Sequence, residues 1–114
     1  MGFVEIRAGM MTKYELLVEP EVHQARKHLP GRVRQRFRRM FDGLADEPRP
    51  PKSQSLDVSG LDVPPGVELR RLRIDPWRVI YGVNDIERWV WVLAIRHRPP
   101  YDYEDLDELA AKVS

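Results

Sequence analysis

The sequence predicts an α+β domain in which a helical hairpin packs on a mostly antiparallel four-stranded sheet. Three observations predict this fold class. Apolar side chains recur at helical spacing over residues 33–44, strand-like segments follow one another over residues 67–98, and only short turns separate those segments. Short connections imply an antiparallel meander. We expect the helices to group on one face of this sheet, which is the α+β arrangement.

The first half of the chain predicts one strand and two helices. Residues 14–19 alternate in side-chain character, which indicates a strand, and Pro20 suits the first turn of the helix that follows. A short helix over residues 21–29 ends at Pro30-Gly31. The second helix presents one apolar stripe, formed by Val33, Phe37, Met40, Phe41 and Leu44.

The second half predicts a loop, three strands and a short helix. Residues 48–65 are rich in proline and serine, which indicates a loop. The strands are predicted at Val67–Ile74, Trp77–Val83 and Trp89–Arg98. An amphipathic helix with an acidic first turn follows, with Leu106, Leu109, Ala110 and Val113 on its apolar side. The element order is therefore β-α-α-β-β-β-α.

Length and composition predict a single domain without metal or cofactor. A chain of 114 residues can bury one modest core. We assign residues 14–114 to the domain and residues 1–13, which have no clear period, to an N-terminal extension or arm; Met11 is an alternative start. The chain has no cysteine and three scattered histidines, which offer no zinc ligand set. The lack of cysteine fits a cytoplasmic protein. No apolar run is long enough to predict a membrane-spanning helix, so we expect no membrane partner.

Arginines are the most informative feature of the three strands. The chain has fifteen arginines and four lysines. Because side chains alternate along a strand, one set of arginines should share the sheet face away from the helices: Arg71, Arg73, Arg78, Arg96 and Arg98. On the last strand, this alternation assigns Trp89, Trp91, Leu93 and Ile95 to the helix-facing core.

Clustered like charges on one sheet face destabilise the fold unless they bind an anion. We therefore predict a phosphate-binding surface, since arginine binds phosphate bidentately. The alternative is a solvated face that Glu68, Asp75 or the acidic C-terminal segment neutralises. The arginine bias alone would also follow from a GC-rich genome.

The segments "ELRRLRIDPWRVIYGV" and "VLAIRHRPPYDYEDL", in this element order, resemble the RelE/ParE family of toxins from bacterial type II toxin–antitoxin systems. The resemblance extends over residues 14–113 and is most specific over residues 68–104. It implies a compact domain with a concave surface, a cognate antitoxin and a possible toxin–antitoxin hetero-oligomer. RelE-like members cleave mRNA in the ribosomal A site, whereas ParE-like members inhibit DNA gyrase.

The RelE-like pattern also implies roles for individual residues. Arg78 and Arg98 would stabilise the transition state of 2′-OH attack on the phosphate, and Arg71, Arg73 and Arg96 would hold the RNA. Proton transfer would fall to Tyr103, Tyr101 or His97, since arginine stays protonated.

One departure leaves the function open. Leu69 stands where the RelE-like pattern has its first basic residue. The alternatives to an mRNA endonuclease are therefore a gyrase inhibitor without catalysis and a non-toxic member of the family that binds an antitoxin.

Overall fold

A computed structural model describes residues 4–6, 13–97 and 102–113. Its elements in chain order are β1 (Val4–Ile6), β2 (Glu15–Val18), α1 (Pro20–Lys27), α2 (Gly31–Asp46), β3 (Ser53–Ser55), β4 (Val67–Ile74), β5 (Trp77–Asn84), β6 (Trp89–His97) and α3 (Leu106–Ala111). The predicted α+β class is confirmed. None of the helices in these residues has the length and apolar character needed to cross a bilayer.

The strands of the described residues form one six-stranded sheet in the order β1-β2-β6-β5-β4-β3. β2 runs parallel to β6, and the other neighbours are antiparallel. The prediction of four strands was wrong at both edges of the sheet. β1 lies within the segment predicted as an extension or arm, and β3 lies within the predicted loop. Both strands have three residues, which is too short for an alternating pattern to be read.

The helical hairpin of α1 and α2 covers one face of the sheet and forms the larger core. Phe37, Phe41 and Leu44 of the predicted α2 stripe are almost completely buried. They pack with the side chains of Val79 and Tyr81 from β5. The period of the α2 stripe thus directs this helix onto the sheet.

A second core lies on the opposite face, beneath α3. Leu109 and Ala110 of α3 belong to one buried cluster with Leu69, Ile80 and Leu93 from the sheet. The prediction grouped all helices on one face, and it was wrong for α3. The central strands are apolar on both faces, so the second face also needs a cover.

An irregularity in β6 determines which side chains reach each face. Ile80 lies opposite Ala94, whereas Tyr81 lies opposite Val92. Leu93 is therefore the extra residue of a β-bulge, which changes the alternation along the strand. Beyond it, Ile95 packs toward the hairpin, and Arg96 points to the other face.

Because of the bulge, the side chains in the first half of β6 face the opposite side of the sheet from the predicted one. Trp89, Trp91 and Leu93 were assigned to the hairpin core, but they belong to the core beneath α3. Val90 and Val92 face the hairpin instead. Since both alternating sets of β6 are apolar, the sequence contains no local signal for the choice between the faces.

Candidate nucleic-acid interface

Three arginines lie side by side across the central strands. Arg73 in β4 is opposite Arg78 in β5, and Arg78 is opposite Arg96 in β6. Their neighbours along the strands, among them Val79 and Ile95, pack toward the hairpin, so the three arginines share the α3 face. We call Arg73, Arg78 and Arg96 the arginine row. Four of the five arginines assigned to this face from the sequence, including Arg71, lie within the described residues.

Carboxylates engage two members of the arginine row. Arg78 donates a hydrogen bond to Asp75 at 2.9 Å, and its side chain is only 11% exposed. Arg96 donates to Asp105, just before α3, at 3.0 and 3.2 Å, and to Glu21 of α1 at 3.4 Å. Asp75 and the acidic C-terminal segment therefore neutralise part of the row, as the alternative of a solvated face predicts for Arg78 and Arg96.

Arg73 differs from the other two members of the row. Its side chain is exposed, and it forms no ion pair with a carboxylate of the described residues. Its charge is therefore the one in the row that is open to an anion from outside the described chain.

A groove of about 420 Å³ opens beside the row, at the β3 edge of the sheet. Arg73 contributes to both features. We call this groove the edge groove; its lining residues are Arg36, Pro51, Lys52, Ser53, Gln54, Arg71, Arg73 and Asp75. Four of these residues are cationic, and one is a carboxylate. This composition favours an anionic ligand.

Hydrogen bonds hold the walls of the edge groove in place. The Arg73 amide donates to the Lys52 carbonyl at 3.3 Å, and the Arg71 guanidinium donates to the Gln54 side-chain oxygen. Arg70, whose side chain points to the hairpin face, donates to Ser53 Oγ at 2.9 Å and to Glu68 at 2.8 Å. β3 is thus held by side chains as well as by its strand pairing.

A polar network anchors the segment that leads into β3. Arg49 donates two hydrogen bonds to Asp85, at 2.8 and 3.2 Å, and one to Glu68 at 2.9 Å. The Tyr14 hydroxyl also donates to Asp85, at 2.6 Å. The bonds from Arg49 and then Tyr14 lower the pKa of Asp85. Burial alone would raise the pKa of Glu68, but bonds from Ser55, Arg49 and Arg70 lower it.

Two of the candidate proton-transfer residues, His97 and Tyr103, lie within the described residues, and they are on opposite faces of the sheet. His97 is opposite Trp77 in the strand register, and their rings meet edge to face at 4.8 Å. Trp77 packs with the hairpin core, so His97 lies on the other face of the sheet from the row. The Tyr103 hydroxyl is buried, and its ring packs on the core beneath α3. Arg98 and Tyr101 lie outside the described residues.

Two cations of the edge groove were not assigned to a site from the sequence. Arg36 lies outside the apolar stripe predicted for the second helix, and Lys52 lies within the loop predicted at residues 48–65. Lys52 lies near Arg71 because β3 pairs with β4, and Arg36 reaches the groove through the packing of α2. No local spacing in the sequence encodes those long-range contacts.

Comparison with solved structures supports the RelE-like fold. A chain of the archaeal RelE–RelB complex from Pyrococcus horikoshii OT3 matches with a TM-score of 0.68 and 26% identity, over 78% of this chain and 99% of that one. A free-state variant of the E. coli toxin RelE, with two arginines replaced by alanine, matches with a TM-score of 0.58 and 18% identity, over 90% of this chain and 97% of that one.

Sequence comparison assigns the family. No curated protein gave a significant match. The sequence model of the ParE toxin of the type II toxin–antitoxin system, parDE, matches residues 14–99. This match spans most of the domain, including β4, β5 and β6, and it confirms the resemblance noted from the sequence. The chain therefore belongs to the RelE/ParE family of type II toxins, through its match to the ParE toxin model.

Proposed function

We propose that the protein is the toxin of a toxin–antitoxin pair and that it cleaves mRNA in the ribosomal A site. The observation that carries this proposal is the arginine row, in which Arg73, Arg78 and Arg96 occupy directly opposed positions on three neighbouring strands. Directly opposed like charges destabilise a sheet. A phosphate backbone laid across the row would offset that repulsion, since guanidinium groups bind phosphate oxygens strongly.

The reaction is an internal attack within the RNA. The ribose 2′-oxygen forms a bond to the adjacent phosphorus while the bond to the 5′-oxygen breaks, so a proton leaves the 2′-OH and a proton reaches the 5′-oxygen. Arg78, held by Asp75, would stabilise the charge that develops on the phosphorane oxygens. Arg98 would act with it, as the RelE-like pattern implies. Arg71, Arg73 and Arg96 would hold the backbone.

Proton transfer is assigned to the tyrosines rather than to the histidine. His97 lies beside Trp77 on the hairpin face, so the sheet separates it from the row. Tyr101 and Tyr103 follow the end of β6 on the chain. Separate Tyr101→Phe and Tyr103→Phe variants would distinguish them, because only loss of the acting hydroxyl should lower the cleavage rate, by about 10²–10⁴-fold.

We also propose a cognate antitoxin and a cytoplasmic site of action. The Pyrococcus horikoshii relative was solved as a RelE–RelB complex, and by analogy this chain would form a hetero-oligomer with its antitoxin. A partly acidic antitoxin segment would complement the basic face. mRNA on the ribosome would be the target of the released toxin.

Induced expression tests the proposal. The wild-type chain should arrest growth, and mapping of RNA ends should find new cuts within translated codons. Arg78→Ala should abolish both effects, whereas Arg39→Ala, which removes an exposed arginine of α2, should retain them. Circular dichroism of the purified variants checks that both fold. An Arg78→Ala protein that stays fully toxic would refute the assigned role of the row.

A second candidate function is inhibition of DNA gyrase without catalysis. The matching family model is that of the ParE toxin. Leu69 is 1% exposed in the core beneath α3, so the basic residue of the RelE-like pattern is replaced by a packing residue. In this case, induction should trigger an SOS response while messages remain intact. A non-toxic antitoxin-binding protein would produce neither response.

A further inference from the structure

We propose that the edge groove is a second phosphate-binding subsite, in which Arg36 and Lys52 bind the backbone of single-stranded RNA next to the cleaved position. The identity of the ligand as RNA rests on the proposed function. The subsite itself rests on the charge, the shape and the position of the groove.

The charge of the groove is unbalanced. Its four cations come from α2, from the segment before β3 and from β4, and its one carboxylate, Asp75, already accepts a hydrogen bond from Arg78 at 2.9 Å. Within the described ranges, Arg36, Lys52 and Arg73 form no ion pair with a carboxylate. Three cations held close together without a counter-charge raise the local concentration of anions.

The lining favours the backbone of a nucleic acid over its bases. No aromatic side chain is among the described lining residues, and Pro51 is the one apolar residue among them. Base recognition in single strands relies on aromatic stacking, which this groove does not offer. Arginine and lysine recognise phosphate, and Arg71 is already oriented by its hydrogen bond to Gln54.

The position of the groove connects it to the proposed cleavage site. Arg73 lines the groove, and it also lies opposite Arg78 in the arginine row. An RNA strand whose phosphates contact Arg36 and Lys52 can therefore continue over Arg73 to Arg78. The volume of about 420 Å³ is within the range of ligand clefts, about 300–1,000 Å³.

Fluorescence anisotropy tests the subsite with a short single-stranded RNA. The riboses carry 2′-O-methyl groups, which prevent cleavage, so the measurement reports binding alone. The test variant is Arg36→Ala/Lys52→Ala. The control variant, Lys27→Ala/Arg39→Ala, removes the same charge from exposed residues that do not line the groove. Thermal unfolding of each variant checks that the domain is intact.

The expected result is a change in salt dependence that is confined to the test variant. Each phosphate contact to a single strand contributes about 0.7 to the slope of log affinity against log salt, so the slope should decrease by about 1.4. Taking about 1 M salt as the reference, this change corresponds to an affinity loss of about 25-fold at about 0.1 M salt. The control variant should keep the wild-type slope.

Equal slopes for the test and control variants would overturn the subsite, as would a wild-type chain that does not bind the RNA at about 0.05 M salt. It would also be overturned if the test variant binds RNA normally but loses affinity for an acidic antitoxin peptide, because the groove would then be a protein-binding site.

The cellular assay separates this proposal from the proposed function. If the wild-type chain cuts mRNA while the test variant keeps its slope, the subsite fails and the cleavage proposal stands. If the test variant behaves as expected while induced wild-type protein leaves messages intact, the cleavage proposal fails and the subsite stands.

Discussion

Replacing Arg73 by glutamine should stabilise the fold while it weakens RNA binding. Arg73 is exposed and lies directly opposite Arg78, which in turn lies opposite Arg96. Cross-strand pairs change the free energy of unfolding by about 0.2–1 kcal/mol, and like charges directly opposite each other are destabilising. Asp75 accepts a hydrogen bond from Arg78 at 2.9 Å and offsets part of the repulsion. We therefore expect a gain near the lower end of that range, about 0.2–0.5 kcal/mol.

Thermal unfolding at several salt concentrations measures this gain. For a domain of this size, about 0.2–0.5 kcal/mol corresponds to a rise in Tm of about 1–4 °C. The rise should shrink between about 0.05 and 0.5 M salt, because screening weakens repulsion between exposed charges. Arg73→Lys keeps the charge and serves as the control, with no rise expected. A lower Tm for Arg73→Gln, or a rise that salt does not change, would refute the reasoning.

Three further predictions concern the packing and the polar network. Tyr81→Phe removes a buried hydrogen bond of 2.6 Å to the Pro48 carbonyl and should lower the free energy of unfolding by about 1–3 kcal/mol in urea titrations; an unchanged value would contradict this. Leu109→Ala removes a buried side chain of α3 and should speed amide exchange in α3 more than in α2, whereas equal effects in both helices would argue against local detachment. The pKa values of Asp85 and Glu68 are lowered in the folded protein. These shifts stabilise the fold at pH values above the unfolded-state pKa values, and this stability should be lost as the pH falls below about 4. Asp85→Asn should reduce that loss between about pH 6 and pH 3, and an unchanged pH profile would exclude Asp85 as its source.

Much of the framework could be predicted because it depends on local periodicity. The apolar stripe of α2, with Phe37 and Phe41, packs on the sheet as its helical spacing indicates. Alternation along β4 and β5 correctly assigned Arg71, Arg73 and Arg78 to the face away from the hairpin. In a regular strand, the backbone geometry determines which face each side chain points to, so the sequence is sufficient to predict these orientations.

The remaining features depend on contacts between distant segments. The Leu93 bulge, which places Trp89 and Trp91 on the α3 face while Arg96 keeps its predicted face, arises from the pairing of β6 with β5. Lys52 reaches the edge groove because β3 pairs with β4. Arg36 reaches the same groove through the packing of α2. None of these contacts leaves a periodic signal in the segment concerned.

The sequence by itself determined the fold class, the helical hairpin, the three central strands and the basic character of one sheet face. It did so because side-chain direction within a regular helix or strand follows from the backbone alone. Only the tertiary structure decided which face α3 covers, that Asp105 and Glu21 engage Arg96, and that Arg36 and Lys52 join Arg71 and Arg73 in one groove. Those outcomes depend on which distant segments pair and pack. Pairing and packing reduce the exposed apolar surface and the unpaired charge of the whole molecule.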